Sequence, residues 1–400
     1  MVKIKPFAIE QWMDKYQPGC NFDLGETCCS SISVQELIDL SEDKSGNIIQ
    51  LAKRLDYGEI RGSDTLRGNL ARLYSSKVAI PLPKENVLIT PGAISANYLL
   101  LYTLTGPEDH VICHYPTYQQ LYEVPKSLGA EVDLWKAKEE SDWILDVEEL
   151  KMLIKPNTKL IIINNPNNPT GAVLKKSFLQ QIVDIATEHD IYILADEVYR
   201  PLFHGITPMD AEFPPSILSM GYKKAIATGS MSKAYSMAGL RVGWIASRDH
   251  DIIDQCAHAR DYTTISVGQL NDQVAAFALS QSTVHNLLAR NLQIAKTNKD
   301  LLEKFIIKHD DICEWVKPVA GTTAFVKFHR DGIPVDSTAF CKTLLEKFGV
   351  LFAPGDECFG KEFKGYIRIG YCCATESLKG GLDKAKLFLR KDYDDVPLVQ

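Results

Sequence analysis

Downstream of Pro83 the chain alternates short apolar runs with longer helical segments, the pattern of a mostly parallel sheet with helices on both faces. The apolar runs predict strands over Asn86–Thr90, His110–His114, Glu131–Lys136, Lys159–Asn164, Tyr192–Asp196, Ala225–Ser230 and Val242–Ser247. Past Ser280 the alternation stops. A long polar helix over Ser282–His309, a strand over Thr322–Phe328, a helix over Ser337–Phe348 and a strand around Tyr366–Gly370 predict a smaller α+β unit. Ahead of Pro83 a short amphipathic opening leads to S-V-Q-E-L-I-D-L, which reads as a helix capped by Ser33 with Glu36 three residues on. The pattern divides the chain into an N-terminal arm with part of a small domain (1–45), a large domain (46–281), and an interdomain helix with the small C-terminal domain (282–400).

Composition narrows the class. Four hundred residues, 45% apolar and 24% charged, suit a globular protein of about two domains. The formal charge of −7, with both signs interspersed, offers no basic face for nucleic acid and no polybasic run for a lipid surface. The opening MVKIKPFAIEQWMDKY has too short an apolar run for a signal peptide, and no stretch reaches the roughly 18 apolar residues of a membrane span, so the cytosol is the expected compartment. The ten cysteines are scattered, with Cys28-Cys29 and Cys372-Cys373 adjacent and no C-x-x-C, which favours reduced thiols. The nine histidines show no ligand spacing, and no metal is expected.

Chemistry concentrates in Ser230 to Gly243, S-M-S-K-A-Y-S-M-A-G-L-R-V-G. Lys233 stands among small residues with Arg241 eight positions later, so a lysine and an arginine are placed to grip opposite ends of one phosphorylated aldehyde, for which pyridoxal phosphate is the candidate. Schiff-base formation requires a partly neutral amine, so a depressed Lys233 pKa is expected. The alternative is a solvated loop lysine. Asp196 closes an apolar strand, where a lone carboxylate is costly without a cation, and a protonated pyridine nitrogen is such a cation; a helix N-cap is the other use of an aspartate there. Gly92-Ala93-Ile94 joins a strand to an apolar helix, whose free N–H groups would attract phosphate, though a tight turn explains the glycine equally. The run N-N-P-N-N-P-T-G, Asn164 to Gly171, is turn chemistry by composition alone.

Together these motifs resemble the class I and II aminotransferases, fold-type-I pyridoxal-phosphate enzymes, from about Gly25 to the final helix. The resemblance implies an α/β fold with a large domain built on a mostly parallel seven-stranded sheet plus a smaller α+β domain. It implies that Lys233 carries the internal aldimine and that Ser230, Arg241 and the Gly92–Ile94 turn bind the phosphate. Tyr118 would lie on the pyridine ring, Asn168 and Tyr199 would reach its phenolic oxygen, and Asp196 its nitrogen. Asn168 also stands on the substrate side, preceding a proline bond that is cis in the family pattern. Arg368, inside an apolar strand, would fork the substrate α-carboxylate, with the Gly25 backbone bordering it. Tyr57 would reach the partner's cofactor phosphate in a homodimer.

The implied reaction is transamination between an L-amino acid and a 2-keto acid. A lyase or cyclase resembling aminocyclopropane-carboxylate synthase is the alternative, since the same cofactor residues serve elimination or replacement. The chain departs from the family pattern at Glu26-Thr27-Cys28-Cys29, where relatives carry a proline and an aromatic; these side chains are expected on the substrate side. Dicarboxylate-specific relatives carry an extra arginine after the lysine segment; Tyr262 stands near that position, with Arg260 close by, and the substrate side chain stays open.

Overall fold

Strands buried on both faces read as continuous apolar runs, and the central sheet is made of such runs. In the computed structural model its strands are β1 (Val87–Thr90), β2 (His110–Tyr115), β3 (Glu131–Lys136), β4 (Thr158–Asn164), β5 (Tyr192–Asp196), β6 (Ala225–Ser230) and β7 (Gly243–Ser247). All seven predicted strands are present, with ends moved by at most one residue. Described are residues 4–45, 47–76, 78 and 80–399, so the first three residues of the opening read above for a signal peptide, and Gly46 at the start of the expected large domain, lie outside the described residues.

The strand order is β1-β7-β6-β5-β4-β2-β3. From β6 to β3 the neighbours are parallel, and β7 runs antiparallel to both β1 and β6. Period-2 geometry sends alternate side chains to opposite faces. Thus Leu160 and Ile162 join the layer formed with the Ala93–Leu104 and His250–Arg260 helices, whereas Ile161 and Ile163 join the layer that includes the Lys176–Glu188 helix.

A five-stranded antiparallel sheet follows, with Thr323–Arg330 at its centre and Tyr366–Gly370 beside it. The expected long helix spans Val284–Ile307, about 36 Å at 1.5 Å per residue. Its buried amides tie both parts to the site. Asn291 donates to Ala234 O at 2.8 Å beside Lys233, and Asn298 donates to Tyr371 O at 2.7 Å just past the Arg368 strand.

Near the N-terminus, the Ser33 capping box forms as expected at the start of the Val34–Leu40 helix. The Ala8–Tyr16 helix lies across the two sheets: Ala8 N donates to Gln119 Oε1 at 2.8 Å, and Trp12 Nε1 donates to Phe352 O at 2.9 Å. Among the described residues, no helix is long and apolar enough to cross a membrane.

Candidate active site

Ligands of open α/β sheets sit beyond the carboxyl ends of the strands, and the strand ends here converge on one cavity of about 520 Å³. Register aligns Asn164 with Asp196 and Asp196 with Thr228, while Gly243 pairs with both Ser230 and Thr90. Ala93, Ile94, Tyr118, Asn168, Asp196, Tyr199, Ser230, Lys233, Arg241, Gly25 and Arg368 all line that cavity. Gly92 and Tyr57 do not; the Tyr57 side chain is on the surface, 74% exposed.

One end of the cavity is a cup for an anion. The Ala93–Leu104 helix has Gly92 as its N-cap, at φ 86° and without a side-chain cap, so its first N–H groups have no intrahelical partner. A Cβ on Gly243 would meet Ala93 N at 2.5 Å, so only glycine lets β7 run this close to the helix end. A Cβ on Gly92 would stand 2.9 Å from Arg241 Nη2, which places the guanidinium against the same turn. Ser230 Oγ accepts from Ser232 N at 3.2 Å, completing a polar rim.

The other end holds an acid that has no charge partner among the described residues. Asp196 is 3% exposed, and burial raises its carboxyl to about 6. Its Oδ2 accepts from Asn97 Nδ2 at 2.9 Å and its Oδ1 from Val198 N at 3.1 Å, both neutral donors. No helix begins at Asp196, which removes the N-cap alternative. Asn97 is itself held by Thr228 Oγ1 at 2.7 Å, and Asn164 Oδ1 accepts from Asn168 N at 2.8 Å. The Asn168–Pro169 bond is cis. Neither Asn97 nor Asn164 was expected at the site, although a buried amide inside the apolar run A-I-S-A-N-Y-L-L-L was a visible signal.

Lys233 bridges to the substrate side. Its Nζ donates to Thr27 Oγ1 at 2.6 Å and Glu26 Oε1 at 3.2 Å, and lies 3.5 Å from Cys28 Sγ. Burial opposes its charge, but the pull of Cys28, Glu26 and Tyr199, with the Glu26 hydrogen bond, outweighs burial and holds the ammonium above its ordinary value, against the expected depression. Of Cys28 and Glu26, Glu26 carries the charge near neutrality. Burial pushes the Cys28 thiol up to about 11, while the Lys233 charge keeps Glu26 well below the usual carboxylate range.

Arg368 is 3% exposed and has no acidic partner among the described residues. Its Nη2 donates to Gly25 O at 2.7 Å, its Nη1 to Asn168 Oδ1 at 3.3 Å, and its Nε, fully buried, has no partner. A Cβ on Gly370 would stand 1.9 Å from Glu26 O, so a glycine there lets the Gly25–Cys28 loop lie against the Arg368 strand. Tyr118 OH donates to Glu10 Oε1 at 2.6 Å, and its ring meets Phe7 at 4.6 Å, both from the N-terminal helix region that pattern reading did not place at the site. One expectation fails: Cys29 faces away from the cavity, with Sγ 4.0 Å from Asn291 O. Arg260, which the sequence left open, is 1% exposed and donates to Ile89 O and Ile60 O inside the large domain.

A buried acid without a cation, an uncapped helix end beside an arginine, a lysine between them and a second, unpaired arginine fit pyridoxal phosphate with an amino-acid substrate. Fold and site thus define a fold-type-I pyridoxal-phosphate enzyme. Comparison with known proteins narrows this. The family model for class I and II aminotransferases matches residues 29–384, and the chain belongs to that family. A solved pyridoxal-phosphate-dependent aminotransferase from Streptococcus suis is 40% identical, with a TM-score of 0.88 over 97% of this chain and 98% of that one. Aspartate aminotransferase of Pyrococcus horikoshii is 31% identical over 84% of this chain and 85% of its own length. Capreomycidine synthase of Streptomyces vinaceus is 26% identical over 94% of this chain and 91% of its own. The protein is a pyridoxal-phosphate-dependent aminotransferase.

Proposed function

We propose that Lys233 is the lysine that binds the cofactor covalently and then moves the proton at the substrate Cα, with Arg368 and Asp196 fixing the two ligands it serves. The reading rests on one observation: these three residues, far apart in the chain, line one cavity. When bound, pyridoxal phosphate supplies an aldehyde for the substrate amine and a protonated ring that draws electron density from Cα. Arg368 takes the substrate α-carboxylate through its planar fork, with Gly25 O and Asn168 holding the guanidinium in place. Asp196, kept in position by Asn97, holds the proton on the ring nitrogen. Asn168 and Tyr199 address the phenolic oxygen, while the Gly92–Ile94 turn, Ser230 and Arg241 take the phosphate. Tyr118 would cover the ring and exclude water. Thr27 keeps Lys233 Nζ on the substrate side, from where it would move the Cα proton.

Borohydride reduction followed by peptide mapping tests the assignment: label on Lys233 alone is expected, and label elsewhere refutes it. A single turnover with amino acid and no keto acid tests the reaction. An aminotransferase stops after one equivalent, whereas continuous product formation would establish the lyase or cyclase chemistry instead.

We further propose a homodimer in which Tyr57 reaches the partner's phosphate cup. Support comes from the exposure of Leu51 (92%), Leu55 (73%) and Tyr57 together on one segment. A monomer in solution would refute it. Ten free thiols support a cytosolic setting, and the helix Val284–Ile307 supports a domain boundary near residue 281.

A further inference from the structure

Among the described residues of this chain, three cations face the cavity, Lys233, Arg241 and Arg368, and the proposed function employs all of them. Within the chain, none of the described cations remains to receive an acidic substrate side chain. Arg260, the nearby alternative, spends its guanidinium on the carbonyls of Ile89 and Ile60, and the Tyr262 side chain is 94% exposed.

Among the described residues, three carboxylates besides Asp196 face the cavity: Glu26, Asp14 and Glu10, the last accepting from Tyr118 OH at 2.6 Å. Glu10, Met13, Asp14 and Gln17 stand at i, i+3, i+4 and i+7, so one stripe of the N-terminal helix and its C-cap is turned to the ligand. Among the described residues neither Glu10 nor Asp14 forms an ion pair. Glu26 follows Gly25, whose carbonyl binds Arg368, so it stands beside the place where the α-carboxylate docks. The N–H groups of Thr27, Cys28 and Lys233 that bond Glu26 all fall on Oε1, at 2.6, 3.0 and 3.2 Å. The buried, unpartnered Nε of Arg368 independently marks this end of the cavity as a ligand site.

We propose that the amino-acid substrate carries a cationic side chain, an amine or guanidine on an aliphatic stem, read by Glu26 with Glu10 and Asp14. The inference rests on the reading above, in which Arg368 takes the α-carboxylate and Lys233 is committed to the cofactor. That commitment removes the cation Glu26 holds in this structure, and a half-buried carboxylate then gains from a replacement. The substrate side chain supplies it. Met13 and Phe7 line the same wall and suit an alkyl stem. A side-chain carboxylate would instead face three like charges.

The holoenzyme is tested with L-arginine, L-ornithine, L-norleucine and L-aspartate, following kcat/KM and the spectral change of the bound cofactor. Arginine or ornithine is expected to exceed norleucine by at least about tenfold and aspartate by more, with the preference shrinking as salt rises. Glu26→Gln should reduce the ratio of cationic substrate to norleucine by about tenfold. The double variant Glu10→Gln, Asp14→Asn, on an exposed helix face, should reduce it severalfold and covers the case in which Glu26→Gln does not fold. Preference for aspartate, or ratios unchanged in both variants, overturns the inference. An equal loss for all amino acids in Glu26→Gln assigns Glu26 to the α-amine and also overturns it. Borohydride label on Lys233 with a neutral-substrate preference would sink this inference while sparing the proposed function, whereas no label and no spectral response would sink both.

Discussion

Asp196 on the floor of the cavity and Glu26 on its roof are both carboxylates near the same ligands, yet their surroundings push them in opposite directions. Asp196 is enclosed by neutral amides from Asn97 and the Val198 backbone, and burial raises it to about 6. Glu26 sits in a looser place, paired with Lys233, and is held well below the usual carboxylate range by that charge. The floor suits one fixed cation that no described residue provides. The roof is prepared to exchange one cation for another, and its outer carboxylates, Glu10 and Asp14, are exposed. On the proposed reading, one region fixes a resident group and the other selects among visitors.

The comparison breaks most completely at the residue shared by both regions. Lys233→Ala should lose turnover by on the order of 10⁴-fold, since it removes the covalent amine and the proton carrier together. Steady-state assay with saturating cofactor checks this, and retained activity would refute the role.

On the floor, Asp196→Asn should slow Cα proton abstraction about a hundredfold, on the order of 3 kcal/mol, with cofactor still bound; deuterium exchange at Cα measures it. The same substitution tests the charge state. A buried acid whose folded pKa lies above its unfolded value binds more protons when folded, so stability falls as pH rises from about 4 to about 6. Urea titrations of cofactor-free protein across that window should show this slope in the wild type and its loss in Asp196→Asn. Saturation with pyridoxal phosphate should flatten the wild-type slope, because the ring nitrogen supplies the missing cation.

Arg368→Lys reaches the roof's fixed point. An ammonium keeps the charge but not the fork, so KM should rise about tenfold and kcat should fall as well. Equal kinetics would make Arg368 structural.

The smallest effect is expected where the regions are tied. Tyr118→Phe removes the 2.6 Å bond to Glu10 that fastens the N-terminal helix to the floor. A loss of about 1 kcal/mol is expected, a shift in Tm of about 1–2 °C. No change would mean that Phe7 packing and the Trp12 bond to Phe352 suffice.

The floor was legible in the sequence, and so were Arg368 and the Gly25–Cys28 loop of the roof, but the N-terminal helix that completes the roof was not. Strand ends follow from apolar runs, and Asp196, Ser230 and the Gly92 turn sit on those ends, so their convergence follows from a parallel sheet that opens its carboxyl edge to one side. Lys233 and Arg241 are close in sequence and travel together. The helix Ala8–Tyr16 carried no such signal, because its docking depends on Gln119 and Phe352, more than a hundred positions away.

What the sequence determined by itself was which groups exist and which stand at strand ends, because strand geometry is set by local alternation of side chains. What only the tertiary structure decided was their charge and reach. Lys233 meets Glu26 across 207 positions, Asp196 meets Asn97 across 99, and Arg368 meets Gly25 across 343. Desolvation and Coulomb interactions depend on distance in space, so the raised ammonium of Lys233 and the turning away of Cys29 were fixed by neighbours no local pattern names.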